Sequence, residues 1–342
     1  MQRFRVFSSR GAAWMAAVLL ALQAGCGQPA PESPKESAQE PAAEKKLTIA
    51  VIPKGTSHIF WQSVHAGALT AAKEIGVDII WNGPPTETMK EQQISIVNDF
   101  IVKQVDGIVL APQDQEALVG VMDDAFNANI PVVIFDSGIN TDNYVSFVAT
   151  DNYKGGVAAA EKMGELLQGK GTLIITKVDP GSNSTLERER GFEETLKQKF
   201  PGIQILDAQF GYSDRERSRA VTEDMLAKHP DVQAIFGPNE SSTSGALLAL
   251  QAIDQAGKKI FVGFDSSQQL IDAMRKKEIH ALVLQNPFKM GYESVKAVVN
   301  HLHGQEAPKR IDTGVYLITP ENMDEPENQK LLSPDLSILQ EG

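Results

Sequence analysis

The chain has 342 residues, 42% of them hydrophobic, and no long charged or repetitive tract, so it can bury one large core or two medium ones and is not a mainly disordered protein. Its formal net charge of −12 argues against nucleic acid and anionic lipid surfaces as partners, because both need a basic face.

Residues 1–25 read as an export signal. Arg3, Arg5 and Arg10 precede GAAWMAAVLLALQA, an apolar stretch of about 14 residues, too short to span a bilayer but right for the hydrophobic part of a signal peptide. Loss of those three arginines would leave the remainder more acidic still. Next comes AGC, where Cys26 is the only cysteine of the chain, so an internal disulfide is excluded. This resembles the bacterial lipoprotein signal, in which the cysteine is lipidated and becomes the new N-terminus; Gln23 departs from it, standing where an apolar residue is usual. Residues 26–46 are rich in Pro, Glu, Ala and Ser without hydrophobic period, and are expected to form a flexible tether.

From Leu47 the pattern becomes strand and helix in alternation. LTIAVI is a continuous apolar run, as expected for a parallel strand covered on both faces. Trp61, Val64, Ala68, Ala71, Ala72 and Ile75 follow at helical spacing. VDIIW predicts a second strand, NGPPTE a turn, Met89 to Lys103 a helix and DGIVLAP a third strand. This βαβαβ order implies right-handed crossovers and an α/β, doubly wound parallel sheet.

An internal echo doubles the architecture. Residues 105–137 and 232–266 both run strand, loop, Ala/Leu-rich helix, turn, strand, and both close on Phe-Asp-Ser. Two similar lobes are therefore expected, each presenting the carboxyl ends of its strands to a shared cleft. Lys54, His58, Phe60 and Trp61 follow the first strand at such an end. Asp136 and Asp265 end two more strands, Asn239 follows QAIFGP, and Gln285 follows ALVL. Aromatics, acids and amides together suit a polyhydroxylated ligand, whose C–H faces pack on rings and whose hydroxyls bond to carboxylates and amides.

Across residues 47–320 the chain resembles the periplasmic sugar-binding proteins of ABC importers, of the ribose-binding type. IAVIPKGTSHIFWQSVHAGA, PVVIFDS, ATDNYKGG, RERGF, HPDVQAIFGPNE, FVGFDSS and LVLQNPFKMGYESV stand in that family's order. The resemblance implies the type I periplasmic-binding-protein fold, with two lobes joined by a three-strand hinge. It also implies ligand contacts at Lys54, His58, Phe60, Trp61, Asp136, Ser137, Arg188, Asn239, Asp265 and Gln285, with Tyr212 a further candidate. Ribose binders carry arginine where Ser137 stands and lack a lysine at position 54. IPKG, NGPPTE, FDS and QFGYSD instead look like the autoinducer-2 binding branch, so plain ribose is not the expected ligand.

Each residue also has a plainer reading. Phe60 and Trp61 could both be core, though adjacent helical positions point about 100° apart, so at least one should leave it. Asp136 and Asp265 could be helix N-caps, and Arg188 a solvated charge. His301 and His303 form an HxH without acidic or thiol partners nearby, a surface pair rather than a metal site. The sequence lacks GxGxxG, GxSxG, HExxH and a complete GxxxxGK[ST], since GELLQGK at 164–170 is followed by Gly171, and no cofactor or metal is expected. An Asp136–Asp265 dyad would be the enzymatic alternative, since glycosidases use paired carboxylates.

The expectation is a non-enzymatic, membrane-anchored lipoprotein of the cell envelope. A first lobe of residues 47–150 plus 286–312 and a second of 151–285 plus 313–330, followed by a tail of 331–342, would close on a monosaccharide or polyol. The closed form would be read by an ABC transporter permease. A monomer is expected, and the alternative role is a signalling receptor for autoinducer-2 or a sugar-like signal.

Overall fold

The computed structural model describes residues 46–340. The expected signal peptide, Cys26 and nearly all of the tether lie outside the described residues.

Two six-stranded sheets organise the chain. The first contains β1 (Thr48–Ile52), β2 (Asp78–Trp81), β3 (Gly107–Leu110), β4 (Val132–Phe135), β5 (Phe147–Ala149) and β11 (Arg310–Asp312), in spatial order β11-β5-β4-β3-β1-β2. All its pairings are parallel. The second contains β6 (Lys170–Lys177), β7 (Gly202–Phe210), β8 (Ala234–Phe236), β9 (Ile260–Phe264), β10 (Ala281–Leu284) and β12 (Tyr316–Ile318), in order β12-β10-β9-β8-β6-β7. Here β12 is antiparallel to β10. That edge strand is the one departure from the expected all-parallel pattern. The chain passes between the sheets after β5, after β10 and between β11 and β12, giving the three-segment hinge of a type I periplasmic binding protein.

Helices cover both faces of each sheet, which is why the central strands read as unbroken apolar runs. Along β1, Ile49 and Val51 face one core layer with Trp61, Val109 and Phe135, whereas Ala50 and Ile52 face the other with Phe100, Leu110 and Met122. The second sheet repeats this: Ile174, Ile235 and Phe261 lie on one face, and Ile175, Phe236 and Phe264 on the other. The expected helix from Trp61 is α1 (Ile59–Ile75), beginning two residues earlier and stopped by Gly76 in the left-handed conformation. Helix α9 (Pro287–Leu302) packs on α1 against the first sheet, and α4 (Asn152–Leu166) on α5 (Asn183–Lys199) against the second.

Candidate functional site

The carboxyl ends of the strands of both sheets converge on one cleft. Its wall is formed by Lys54, His58, Phe60, Trp61, Glu87, Asp136, Ser184, Thr185, Arg188, Asn239, Glu240, Asp265 and Gln285, around ≈ 340 Å³ of space including the open mouth. Nine of the eleven positions expected from the sequence stand in this wall.

The Phe-Asp-Ser echo becomes a conformational one. Asp136 has φ 61° and Asp265 φ 64°, left-handed values that cost a non-glycine residue roughly 1–3 kcal/mol and are kept where the surroundings over-determine them. Neither aspartate is the N-cap of the helix that follows its strand: α8 (Gln268–Arg275) is capped by Ser267, and no helix starts after Asp136 before Gly138 and the loop beyond it, although Asp265 Oδ2 accepts from the N–H of Glu240, at the start of another helix, at 3.2 Å. The turned backbone instead aims both carboxylates into the cleft, where both are buried.

Each carboxylate has a cation. Lys54 Nζ lies 3.0 Å from Asp136 Oδ2 and donates to Ser182 Oγ at 3.2 Å and Ser184 Oγ at 3.1 Å, so its three protons are taken up by protein oxygens from both lobes. Arg188 lies over the Phe264 ring at 4.0 Å. Its Nε donates to Asn152 Oδ1 at 2.8 Å and its Nη1 to the Pro238 carbonyl at 2.9 Å, with Asp265 Oδ2 at 3.8 Å. Burial pulls this guanidinium below its ordinary value, and the Asp265 and Asp136 charges oppose that pull. Asp265 itself is pushed up to about 6 by burial, against the favourable effects of Arg188 and of Gln285, whose Nε2 donates to Oδ1 at 2.7 Å. The solvated-charge reading of Arg188 is thus excluded, whereas Arg190 pairs on the exposed face with Glu187.

The two aromatics divide as helical geometry requires. Trp61 is 2% exposed, packs edge-on to Phe135 and donates its indole N–H to Glu87 Oε1 at 2.9 Å. Phe60 is half-buried and meets Trp61 edge to face, 4.8 Å between centroids. Asn239 is both wall and cap: its Oδ1 accepts from Ser242 N at 2.9 Å in a capping box at the start of α7 (Glu240–Ala252). His58, the N-cap of α1, places Nδ1 3.2 Å from Glu240 Oε2, which Arg215 clamps from behind at 2.7 and 3.1 Å.

Ser137 and Tyr212 lie outside this wall. Ser137 Oγ accepts from Ser184 N at 3.0 Å, so it joins the lobes beside the cleft. Tyr212 sits in the turn after β7 with φ 56°, its ring between Phe210 and the Arg217 guanidinium. Four wall residues were missed: Glu87, Ser184, Thr185 and Glu240. Glu240 directly follows Asn239, and Glu87 closes the NGPPTE turn, so position beyond a strand was the available signal; Ser184 and Thr185 open the helix that carries Arg188. Among the described residues no group of three His, Cys, Asp or Glu is arranged to hold a metal ion, and no helix is long and apolar enough to cross a membrane.

Residues 49–306 match the family model described as periplasmic binding protein domain. The chain belongs to this family. Among periplasmic binding proteins, it is 31% identical over 278 residues to the ribose import binding protein of Bacillus subtilis, covering 81% of this chain and 88% of that one. It is 30% identical over 296 residues to the D-ribose/D-allose-binding protein of Pseudomonas aeruginosa, covering 83% and 92%. A carbohydrate transporter solute binding protein from Agrobacterium radiobacter, solved with D-arabinose, superposes with a TM-score of 0.82 at 28% identity, covering 85% of this chain and all of that one. These relatives support the ribose-type assignment and the non-enzymatic class, and they are named for different sugars.

Proposed function

We propose that this protein is the substrate-binding component of an ABC importer, taking a neutral monosaccharide or related polyol between its lobes. The observation that carries the reading is the meeting of Asp136 and Asp265, one from each sheet, in matching left-handed turns beside Phe60, Asn239 and Gln285. Buried acceptors, amides and an aromatic face are what hydroxyl pairs and C–H faces require. Neutrality follows from charge. Glu87, Asp136, Glu240 and Asp265 outnumber Lys54 and Arg188 in the wall, and Lys54 is occupied by protein oxygens, so an anion would meet four carboxylates with Arg188 as its main cation. The same saturation makes Lys54 a clamp between lobes rather than a direct ligand donor.

Hinge closure completes the reading. Lys54 and Ser137 of one lobe bond to Ser182 and Ser184 of the other at the cleft, so a sugar ring would enter a more open arrangement and the lobes would close on it. The protein would be exported and held at the membrane by a lipid on Cys26, with a permease reading the closed form.

The test is a thermal-shift and calorimetric screen of pentoses, hexoses, polyols, autoinducer-2 and sugar phosphates, with small-angle scattering on any hit. A neutral sugar should raise the melting temperature, and the radius of gyration should fall on binding. Strong binding of a sugar phosphate with neutral sugars inert would overturn the reading.

A further inference from the structure

Beyond Phe60 the cleft continues into a second chamber. It shares Phe60, Asp265 and Gln285 with the main site and is otherwise walled by Ile59, Ser63, Ser266, Leu284, Pro287, Leu331 and Pro334, enclosing ≈ 320 Å³ with its mouth. Two buried polar atoms on residues of its wall have no partner among the described residues: Ser63 Oγ, on a residue 1% exposed, and Gln285 Oε1, on a residue 3% exposed that the chamber shares with the main site. The Gln285 amide cannot turn to relieve this, because its Nε2 is bonded to Asp265 Oδ1. Buried polar groups are rarely left unpaired, since each costs the desolvation that a partner would repay.

The roof of the chamber is the C-terminal segment. Helix α10 (Pro326–Leu332) is anchored in the second lobe, where Leu332 is buried in the core and its carbonyl accepts from Ser266 Oγ at 3.4 Å. The chain then passes Pro334 into a 3₁₀ turn, Ser337–Gln340, packed on α1 of the first lobe. The segment therefore straps one lobe to the other across the chamber.

Resting on the sugar-binding reading, we propose that this chamber is a subsite for the exocyclic hydroxymethyl group of a hexose, held by Ser63 Oγ and Gln285 Oε1. A hydroxyl can donate to Gln285 Oε1 while Ser63 donates to its oxygen, and its methylene meets the apolar walls of Ile59, Leu284 and Leu331. Size limits the group. The chamber's ≈ 320 Å³ includes its open mouth and lies under Leu331 and Pro334, which suits a hydroxymethyl group rather than a second sugar ring. The site would thus select a hexose over the pentose of the same ring configuration.

The experiment measures affinity for three matched pairs, glucose and xylose, galactose and L-arabinose, allose and D-ribose, plus the 6-deoxy form of whichever hexose binds. Wild type should prefer the hexose by on the order of tenfold or more, with the 6-deoxy sugar losing most of that gain, because a methyl group leaves both polar atoms unpaired. Ser63→Ala should cut the hexose-to-pentose ratio several-fold, and Ser63→Leu, which fills the chamber, should invert it. Truncation after Ser333 should also lower the ratio. A ratio near one in wild type, equal binding of the 6-deoxy sugar, or an unchanged ratio in Ser63→Ala would overturn the subsite while leaving the sugar-binding reading intact. Failure of these six and of every other neutral sugar and polyol in the screen to bind overturns that reading itself.

Discussion

At the end of β9 the Asp265 carboxyl keeps its proton to about pH 6 in the folded chain, against an ordinary 3.8 when exposed. Between those values this group binds more proton in the folded state than in the unfolded one, so its own contribution to stability is fullest below about pH 4, falls as pH rises, and levels off above about 6. Glu189 acts in the same direction, pushed from 4.5 to about 7 by burial although Val178 N donates to it at 3.2 Å and Lys177 lies 3.5 Å away. The Asp265 shift corresponds to at most about 3 kcal/mol. Asp265→Asn should flatten the stability slope between pH 4 and 6, and Glu189→Gln the slope between 4.5 and 7, in urea titrations of the unliganded protein. Slopes identical to wild type would show that these groups are not buried as described. Lys54→Met strands Asp136 in the cleft without its cation, so sugar affinity should fall on the order of 10²-fold, with little dependence on salt in wild type. Marked weakening of wild-type binding by salt would mean that the ligand is charged.

Helix pairs set where the cleft side chains stand, and both pairs use glycine to bring backbones together. A Cβ on Gly67 would lie 1.9 Å from the Phe288 carbonyl oxygen and one on Gly291 2.0 Å from that of Val64, which fixes α1 against α9. In the other lobe Gly156 and Gly191 do the same, 2.0 Å from Arg188 O and 2.2 Å from Tyr153 O. Because the obstacle is backbone, it cannot swing away as a side chain can. Gly156→Ala should cost about 1–3 kcal/mol and weaken sugar binding as well, since α5 carries Arg188 into the cleft. Gly120 is the contrast: exposed in α3 (Val119–Asn127), with nothing within 4 Å, so Gly120→Ala should stabilise by up to about 1 kcal/mol. Chemical denaturation of the two variants checks both signs.

Across the whole molecule, the two lobes meet along a polar seam beside the cleft. Asn183 Nδ2 donates to Gln115 Oε1 at 3.0 Å, its Oδ1 accepts from Gly138 N at 3.2 Å, and Gln115 N donates to Gly181 O at 2.9 Å. These bonds exist only while the lobes are together, and the hydrophobic cores do not depend on them. Asn183→Ala should therefore raise the dissociation rate of the bound sugar several-fold, with the association rate and the melting temperature of the free protein little changed. An unchanged dissociation rate in stopped-flow measurements would remove the seam from the closing mechanism.

The alternation of strand and helix, the covered parallel strands and the paired Phe-Asp-Ser endings were all legible in the sequence, because burial imposes a periodicity on each element separately. From that periodicity it was possible to name Asp136, Asp265, Asn239 and Gln285 as strand-end residues facing a cleft. What the sequence left undecided is what depends on one lobe's placement against the other. Lys54 was expected to contact the ligand, yet Ser182 and Ser184, 128 and 130 positions away, take up two of its protons. Glu87 and Glu240 carry no periodic signal, and only the docking of their loops makes them wall; Ser137 and Tyr212 share the strand-end position but are turned to the seam and to an aromatic–arginine stack. Local pattern encodes which side of an element is buried, whereas a contact between lobes depends on the rigid-body arrangement of whole sheets, which no short stretch of residues specifies.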